Sequence, residues 1–315
     1  MQWSEGTAAV PVRWSGIVPP LLTPLLGFDE LDPAGLERLI EHVVAGGVHG
    51  IFLLGTTGEA PGLSGRLRRE VIERGCHHIA GRVPVMVGIT DSAFAESVSL
   101  AHFAADAGAA ALILAAPFYY PANQEEMQSY LQHLARELPL PCLLYNIPSH
   151  TKIAFDPETV RRAMDIPQIV GLKDTSGSMN YFHQLVRLLP RRPDWTLLMG
   201  TEQLLAESVL LGGTGGVPGG ANLCPELYVD LYRAASTGDL AQVSLLHRRV
   251  IELTSRIYQV GPLHSAYLRG LKCAVSCVGL CDDFMAEPFR KLPPEQRNQI
   301  EGYLVEMGIE PYRKQ

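Results

Sequence analysis

Eight times along the chain a short, almost wholly apolar segment ends in a polar or glycine-rich turn and is followed by about a dozen residues of helical periodicity. The apolar segments are residues 16–22, 50–54, 83–89, 111–116, 142–146, 169–173, 196–199 and 215–217. Strands that are apolar on both faces are buried on both faces, as parallel strands are. The segments between them open with helix-starting chemistry, Asp32-Pro33, Asn123 and Asp156-Pro157, and several close in glycine, at Gly46-Gly47, Gly108 and Gly212-Gly213. Eight strand–helix units match the count and length of an α/β fold of the (β/α)8 (TIM) barrel type, expected over residues 1–238. A doubly wound open sheet is the competing arrangement. It would want fewer strands and an early Gly-x-Gly-x-x-Gly turn, which residues 23–31 lack. After Gly238 the alternation stops, and helical patterns at 240–258, 263–278 and 294–307 predict a C-terminal helical appendage over 239–315.

Of the 315 residues, 47% are hydrophobic and 19% charged, which excludes disordered, collagenous and coiled-coil classes. With a net charge of -7 and no basic run longer than pairs such as Arg161-Arg162 and Arg191-Arg192, nucleic acid is not an expected partner. The apolar stretches at 107–120 and 138–145 are interrupted well short of the ~20 residues a membrane span needs, so no membrane is expected. Residues 1–14 have neither a basic flank nor an apolar core of signal-peptide type, and a cytoplasmic location is the expectation. The six cysteines lack paired short spacings and read as reduced core thiols.

Barrels of this kind place their chemistry where strands end at the C-terminal face. That selects Thr23, Gly-Thr-Thr-Gly-Glu at 55–59, Phe-Tyr-Tyr at 118–120, Tyr145-Asn146, Lys-Asp-Thr-Ser at 173–176, Gly-Thr-Glu at 200–202 and Pro-Gly-Gly at 218–220. The chain has only five lysines, at 152, 173, 272, 291 and 314, and Lys173 alone closes an apolar strand. A strand-end salt bridge with Asp174 is the bland reading. The sharper one is a Schiff-base lysine, because a desolvated amine loses its proton and attacks a carbonyl. At an ordinary pKa of about 10.4 roughly 0.04% of the amine is neutral at pH 7, and a pKa of ~7.5 raises that several-hundred-fold. Such a lysine needs a carboxylate cradle, which the Gly55–Gly58 turn with its two hydroxyls could form, and a proton shuttle, for which Tyr145 is suited if a hydroxyl such as Thr57 relays.

Taken together, these motifs resemble the class I aldolases and lyases typified by dihydrodipicolinate synthase and N-acetylneuraminate lyase. Gly-Thr-Thr-Gly-Glu, Tyr-Asn-Ile-Pro-Ser, Gly-Leu-Lys-Asp-Thr-Ser-Gly and the glycine-rich stretch to Asn222 stand in that family's order, and the likeness covers essentially the whole chain. The resemblance implies that Lys173 forms an imine with pyruvate or the 2-keto end of a larger acid, and that Thr56 and Thr57 hold the carboxylate. It further implies that Tyr145 moves the proton, relayed by Thr57 and Tyr119, with Val217 lining the pyruvate pocket and His150, Thr175 and Glu202 facing the second substrate. The tyrosine matching Tyr119 reaches a neighbouring subunit's site in the family, so a homo-oligomer, dimer or tetramer, is implied. No metal or organic cofactor is implied, since the imine is itself the electron sink. The synthases carry Arg after Tyr-Asn-x-Pro-Ser where this chain has His150, and imidazole does not reproduce a bidentate guanidinium fork. The expectation is therefore C–C cleavage or condensation, or dehydration, of a 2-keto(-3-deoxy) acid. The alternatives are a dihydrodipicolinate synthase proper and a non-catalytic keto-acid-binding member. Gly219-Gly220 removes side chains from the distal pocket, which is then roomy or filled from elsewhere.

Other clusters read as structure. Cys273, Cys277 and Cys281 form one helical stripe, a row rather than a metal cage; His77-His78 has no ligand partner at suitable spacing; the 212–220 glycines lack the Lys-Ser/Thr of a phosphate loop.

Overall fold

The computed structural model describes residues 13–312, so the leader-segment reading of residues 1–12 and Lys314 lie outside the described residues. Eight strands form one parallel sheet: β1 (Gly16–Ile17), β2 (Ile51–Leu53), β3 (Val85–Gly88), β4 (Ala111–Ala115), β5 (Cys142–Asn146), β6 (Ile169–Asp174), β7 (Thr196–Met199) and β8 (Gly215–Gly216). The sheet runs in the order β1-β8-β7-β6-β5-β4-β3-β2 and closes on itself through a parallel bridge between Pro20 and Phe52. Leu21 N–H donates to the Phe52 carbonyl at 2.8 Å, and Phe52 N–H to that of Pro19 at 2.9 Å. The expected barrel is therefore what forms, and the open sheet is not.

The expected first strand, 16–22, is a regular ladder only at Gly16–Ile17, because Pro19 and Pro20 have no N–H to donate. Leu22 N–H turns instead to the side-chain carbonyl of Asn222 at 3.0 Å, and the Asn222 amide donates to Pro20 at 3.0 Å and Gly219 at 2.8 Å. One side chain thus ties the first strand end to the last. The helix signals act as expected at Asp32, which accepts from Gly35 N–H at 2.8 Å, and at Asn123, which forms a reciprocal capping box with Glu126. Asp156 differs: it makes no side-chain cap, and Pro157 in the first turn of Pro157–Ala163 starts that helix.

Side chains alternate along each strand and so sort into two cores. Those pointing outward pack under the helices. Those pointing inward, among them Phe52, Met86, Ile113, Leu143, Tyr145, Leu198 and Val217, fill the barrel. In register, Ala115, Tyr145, Lys173 and Leu198 lie side by side on β4 to β7, one ring of the interior in which a single member is a lysine.

The chain continues past Pro225–Thr237 into helices Leu240–Ile257, Ala266–Cys277 and Pro294–Glu306. Gly270 lets the second of these cross the first closely, since a Cβ there would stand 1.9 Å from the Ile257 carbonyl oxygen. Its strongest tether to the barrel is Lys272, fully buried, whose ammonium lies 2.5 Å from the Glu59 carboxylate; the other Glu59 oxygen accepts from Ala286 N–H at 2.8 Å. Glu59 closes the turn after β2 in a left-handed conformation, φ 57°, and this pair holds it there. Among the described residues no helix is long and apolar enough to cross a membrane. Removing one member of a buried ion pair strands the other charge, so Lys272→Ala is expected to lower unfolding free energy by about 3–5 kcal/mol in denaturant titration, while Lys272→Met combined with Glu59→Gln recovers most of it.

Candidate active site

Lys173 is the penultimate residue of β6 and is 3% exposed. Its amine stands 3.9 Å from the centroid of the Tyr145 ring and 5.1 Å from that of Phe52, over both faces. Asp174, next along the strand, points to the opposite side, where it accepts from the Asn146 amide at 2.9 Å, the Ser176 hydroxyl at 2.9 Å and Ser176 N–H at 3.0 Å. Strand alternation therefore separates the two, and the Lys173–Asp174 salt bridge does not form. Among the described residues no carboxylate is paired with Lys173. Burial among aromatic rings pushes its pKa below the ordinary lysine value, opposed only by the Tyr145 hydroxyl.

A cavity of about 390 Å³ opens above this amine. Its walls bring together Thr56, Thr57, Tyr145, His150, Thr175, Glu202 and Val217 with Lys173. Eight of the nine residues singled out from sequence thus meet in one place; Tyr119 does not. It is 85% exposed at φ 89°, edge-on to Tyr120 and away from the cavity of its own chain.

The turn after β2 is shaped by close approach. Leu54 is left-handed at φ 59°, and its carbonyl oxygen would be 2.2 Å from any Cβ at Gly88, so the neighbouring strand has to carry glycine there. The hydroxyl that meets Tyr145 is that of Thr56, at 3.3 Å. The expected Tyr145–Thr57 contact is corrected accordingly: Thr57 lies 2.9 Å from the hydroxyl of Tyr267. Adjacent residues of a tight turn face different ways, and spacing alone does not say which one faces the strand-β5 phenol.

Glu202 is likewise not a free ligand for substrate. One of its oxygens accepts from Tyr228 and, at 2.8 Å, from Tyr258, and the other accepts from Gly220 N–H at 3.0 Å. Burial raises its pKa, against those hydrogen bonds. Thr175 has the reverse character: its hydroxyl oxygen is buried without a hydrogen-bond partner, beside Gly200, where a Cβ would stand 1.9 Å from it and 3.0 Å from the Lys173 side chain. His150 sits at the rim with its Nδ1 2.9 Å from the Ser149 hydroxyl; partial desolvation and then the Lys152 charge lower its pKa, so the imidazole is neutral at pH 7.

The sequence reading missed the fourth wall. Thr254, Tyr258, Gln259 and Tyr267 of the C-terminal helices line the cavity. The space left by Gly219 is filled from there, a Cβ standing 2.0 Å from the Tyr267 hydroxyl oxygen, and that left by Gly220 from the last barrel helix, a Cβ standing 2.1 Å from the Tyr228 hydroxyl oxygen. The only signal was the paired glycines themselves. Of the clusters set aside, Cys273 and Cys277 lie 3.9 Å apart between their sulfurs along one helix face, and His78 pairs with Glu41 at 2.7 Å.

The sequence profile of the dihydrodipicolinate synthetase family matches residues 13–307. The chain is 32% identical over 302 residues to a probable 2-dehydro-3-deoxy-D-pentonate aldolase, YjhH of Escherichia coli, covering 95% of this chain and 99% of that protein. To a 4-hydroxy-tetrahydrodipicolinate synthase of Methanopyrus kandleri it is 31% identical, over 94% and 97% of the two chains. Among solved structures, a dihydrodipicolinate synthase of Bacteroides thetaiotaomicron superposes with a TM-score of 0.92 at 47% identity, covering 94% of this chain and all of that one. YagE of Escherichia coli, solved in complex with pyruvate, superposes at 0.88 with 27% identity, covering 94% and 99%.

An uncompensated buried amine costs stability. The folded chain holds Lys173 with fewer protons than the unfolded chain, so this contribution to stability improves as pH rises toward the ordinary value of 10.5. Lys173→Met is expected to unfold at a higher temperature than the parent at pH 7, with the gain shrinking as the pH approaches 10.5; an equal gain at both ends would contradict a lowered pKa.

Proposed function

We propose, for a chain that belongs to the dihydrodipicolinate synthetase family and is therefore a Schiff-base lyase of the class I aldolase type, that Lys173 is the imine-forming residue. The observation that carries this is an amine buried without a counter-charge at the floor of the cavity. Its neutral form attacks the carbonyl carbon of pyruvate, or of the 2-keto end of a larger acid; water leaves, and the protonated imine then accepts the electron pair of the C–C bond that breaks, or of the C3–H bond whose loss lets the neighbouring hydroxyl depart as water in a dehydration, while in a condensation the enamine returns that pair to the new C–C bond. Hydroxyls of Thr56 and Thr57 in the turn after β2 bind the keto-acid carboxylate, and Tyr145 moves protons at the imine through its contact with Thr56. That relay differs from the sequence-based one in its middle member. Val217 lines the keto-acid end. The unpartnered Thr175 hydroxyl and the rim imidazole of His150 face the second substrate, for which a hydroxylated 2-keto-3-deoxy acid is favoured over the substrate of a synthase proper, because His150 stands where synthases carry arginine. Glu202 orients the wall rather than touching substrate. No cofactor enters this chemistry.

Exposure of Tyr119 and its positive φ support the reading that this side chain is held outward for a second copy, as the resemblance implies, in a homo-oligomer of two or four chains. The barrel is taken as residues 1–238 and the appended helices as 239–315, with the left-handed Gly238 at the junction. Six free thiols fit a reducing, cytoplasmic setting.

Incubation with pyruvate and borohydride, followed by peptide mass mapping, is expected to give one reduced adduct, on Lys173. Lys173→Ala is expected to abolish both the adduct and turnover, a loss of at least about a thousandfold for removal of a covalent nucleophile. An adduct that survives that substitution would overturn the assignment.

A further inference from the structure

Three tyrosine hydroxyls, Tyr228 from the last barrel helix and Tyr258 and Tyr267 from the C-terminal appendage, crowd the wall opposite the turn after β2, and two of them, Tyr228 and Tyr258, are committed to Glu202. Only the third, Tyr267, faces the turn, where its oxygen is 2.9 Å from that of Thr57. Resting on the reading of Thr57 as a carboxylate ligand, we infer that Tyr267 is a positioning residue: it donates its proton to Thr57 and so leaves the Thr57 proton free to point at the substrate carboxylate.

Hydroxyl bookkeeping carries the inference. Each of the two groups has one proton. If Thr57 donates to Tyr267, its proton is spent and its lone pairs face the carboxylate, which repels them. If Tyr267 donates, Thr57 offers its proton to the anion and the two bonds run in the same sense, each polarising the other. An anion in the cavity therefore selects the second arrangement. Burial keeps the phenol in its protonated, donating form.

The rest of the wall holds Tyr267 in position to do this. Its ring meets that of Tyr258 edge to face at 4.6 Å, and Tyr258 is itself anchored at 2.8 Å on Glu202. Gly219 supplies the space, since a Cβ there would stand 2.0 Å from the Tyr267 hydroxyl oxygen. Glu202, expected from the resemblance to face the second substrate, and Gly219, expected to open the distal pocket, become the supports of one hydroxyl.

The test is the pyruvate dependence of borohydride trapping in the full-length protein. Tyr267→Phe, which keeps the ring, is expected to raise the half-saturating pyruvate concentration about five- to tenfold, the effect of one hydrogen bond to an anion's ligand, while changing the maximal trapping rate by less than about twofold. Methyl pyruvate, which lacks the carboxylate, should be trapped equally by parent and variant. In a Thr57→Val background, Tyr267→Phe should add nothing, whereas independent roles would give additive shifts. Gly219→Ala should shift half-saturation the same way by displacing the hydroxyl. Unchanged half-saturation in Tyr267→Phe, an equal effect on methyl pyruvate, or additivity with Thr57→Val would each overturn the inference. Absence of any Lys173 adduct in the unsubstituted protein would instead overturn the reading on which it rests.

Discussion

A primary amine set inside a closed barrel with no carboxylate against it is the constraint on which the remainder of this structure depends. A charged ammonium in that position has been desolvated and has gained only the faces of two aromatic rings and the Tyr145 hydroxyl, so folding shifts its equilibrium toward the neutral form. Every element around Lys173 preserves that condition. The inward register places it level with Ala115, Tyr145 and Leu198, strand alternation sends Asp174 to the far side, and Gly200 leaves room for its side chain.

The floor of the site belongs to the barrel, but its roof does not. Helix Ala266–Cys277 reaches the turn after β2 twice, through the Lys272–Glu59 ion pair beneath it and the Tyr267–Thr57 hydrogen bond inside the cavity. The buried pair is a costly device if stability alone is counted, since well-packed apolar residues could replace it. It fixes the left-handed Glu59 and with it the position of Thr56 and Thr57, so its return is geometric. The Glu202 carboxylate plays a parallel part on the facing wall, gathering Tyr228, Tyr258 and Gly220 N–H. Two buried carboxylates thus hold the turn after β2 and the facing wall of the cavity in place.

Periodicity made the barrel legible in the sequence, because buried parallel strands are apolar throughout and a strand end is marked by the first polar residue. Lys173, Tyr145 and the Gly-Thr-Thr-Gly turn were visible for that reason. What the sequence concealed depends on rotation and on distance along the chain. Which threonine of an adjacent pair faces Tyr145 is set by the path of a five-residue turn, bracketed by the left-handed Leu54 and Glu59 that periodicity does not register. Tyr267 lies 210 residues from Thr57 on a helix whose pattern reads as ordinary packing. Glu202 looked like a free acid at a strand end, and only the arrival of two tyrosines from later helices occupies it. Gly219-Gly220 was the one trace of those helices, an absence of side chains whose complement had to be found elsewhere.

The central claim is that the Lys173 amine is held below the ordinary lysine pKa because it is buried without a counter-charge, and the most direct measurement is an NMR titration of the protein carrying isotope-labelled lysine side chains. With five lysines in the chain, the Lys173 signal is assigned by its loss in Lys173→Met. The account predicts that this signal titrates below the ordinary lysine value, and that it moves upward when Phe52→Asp supplies a counter-charge. A Lys173 signal that titrates at the ordinary lysine value of 10.5 would contradict it.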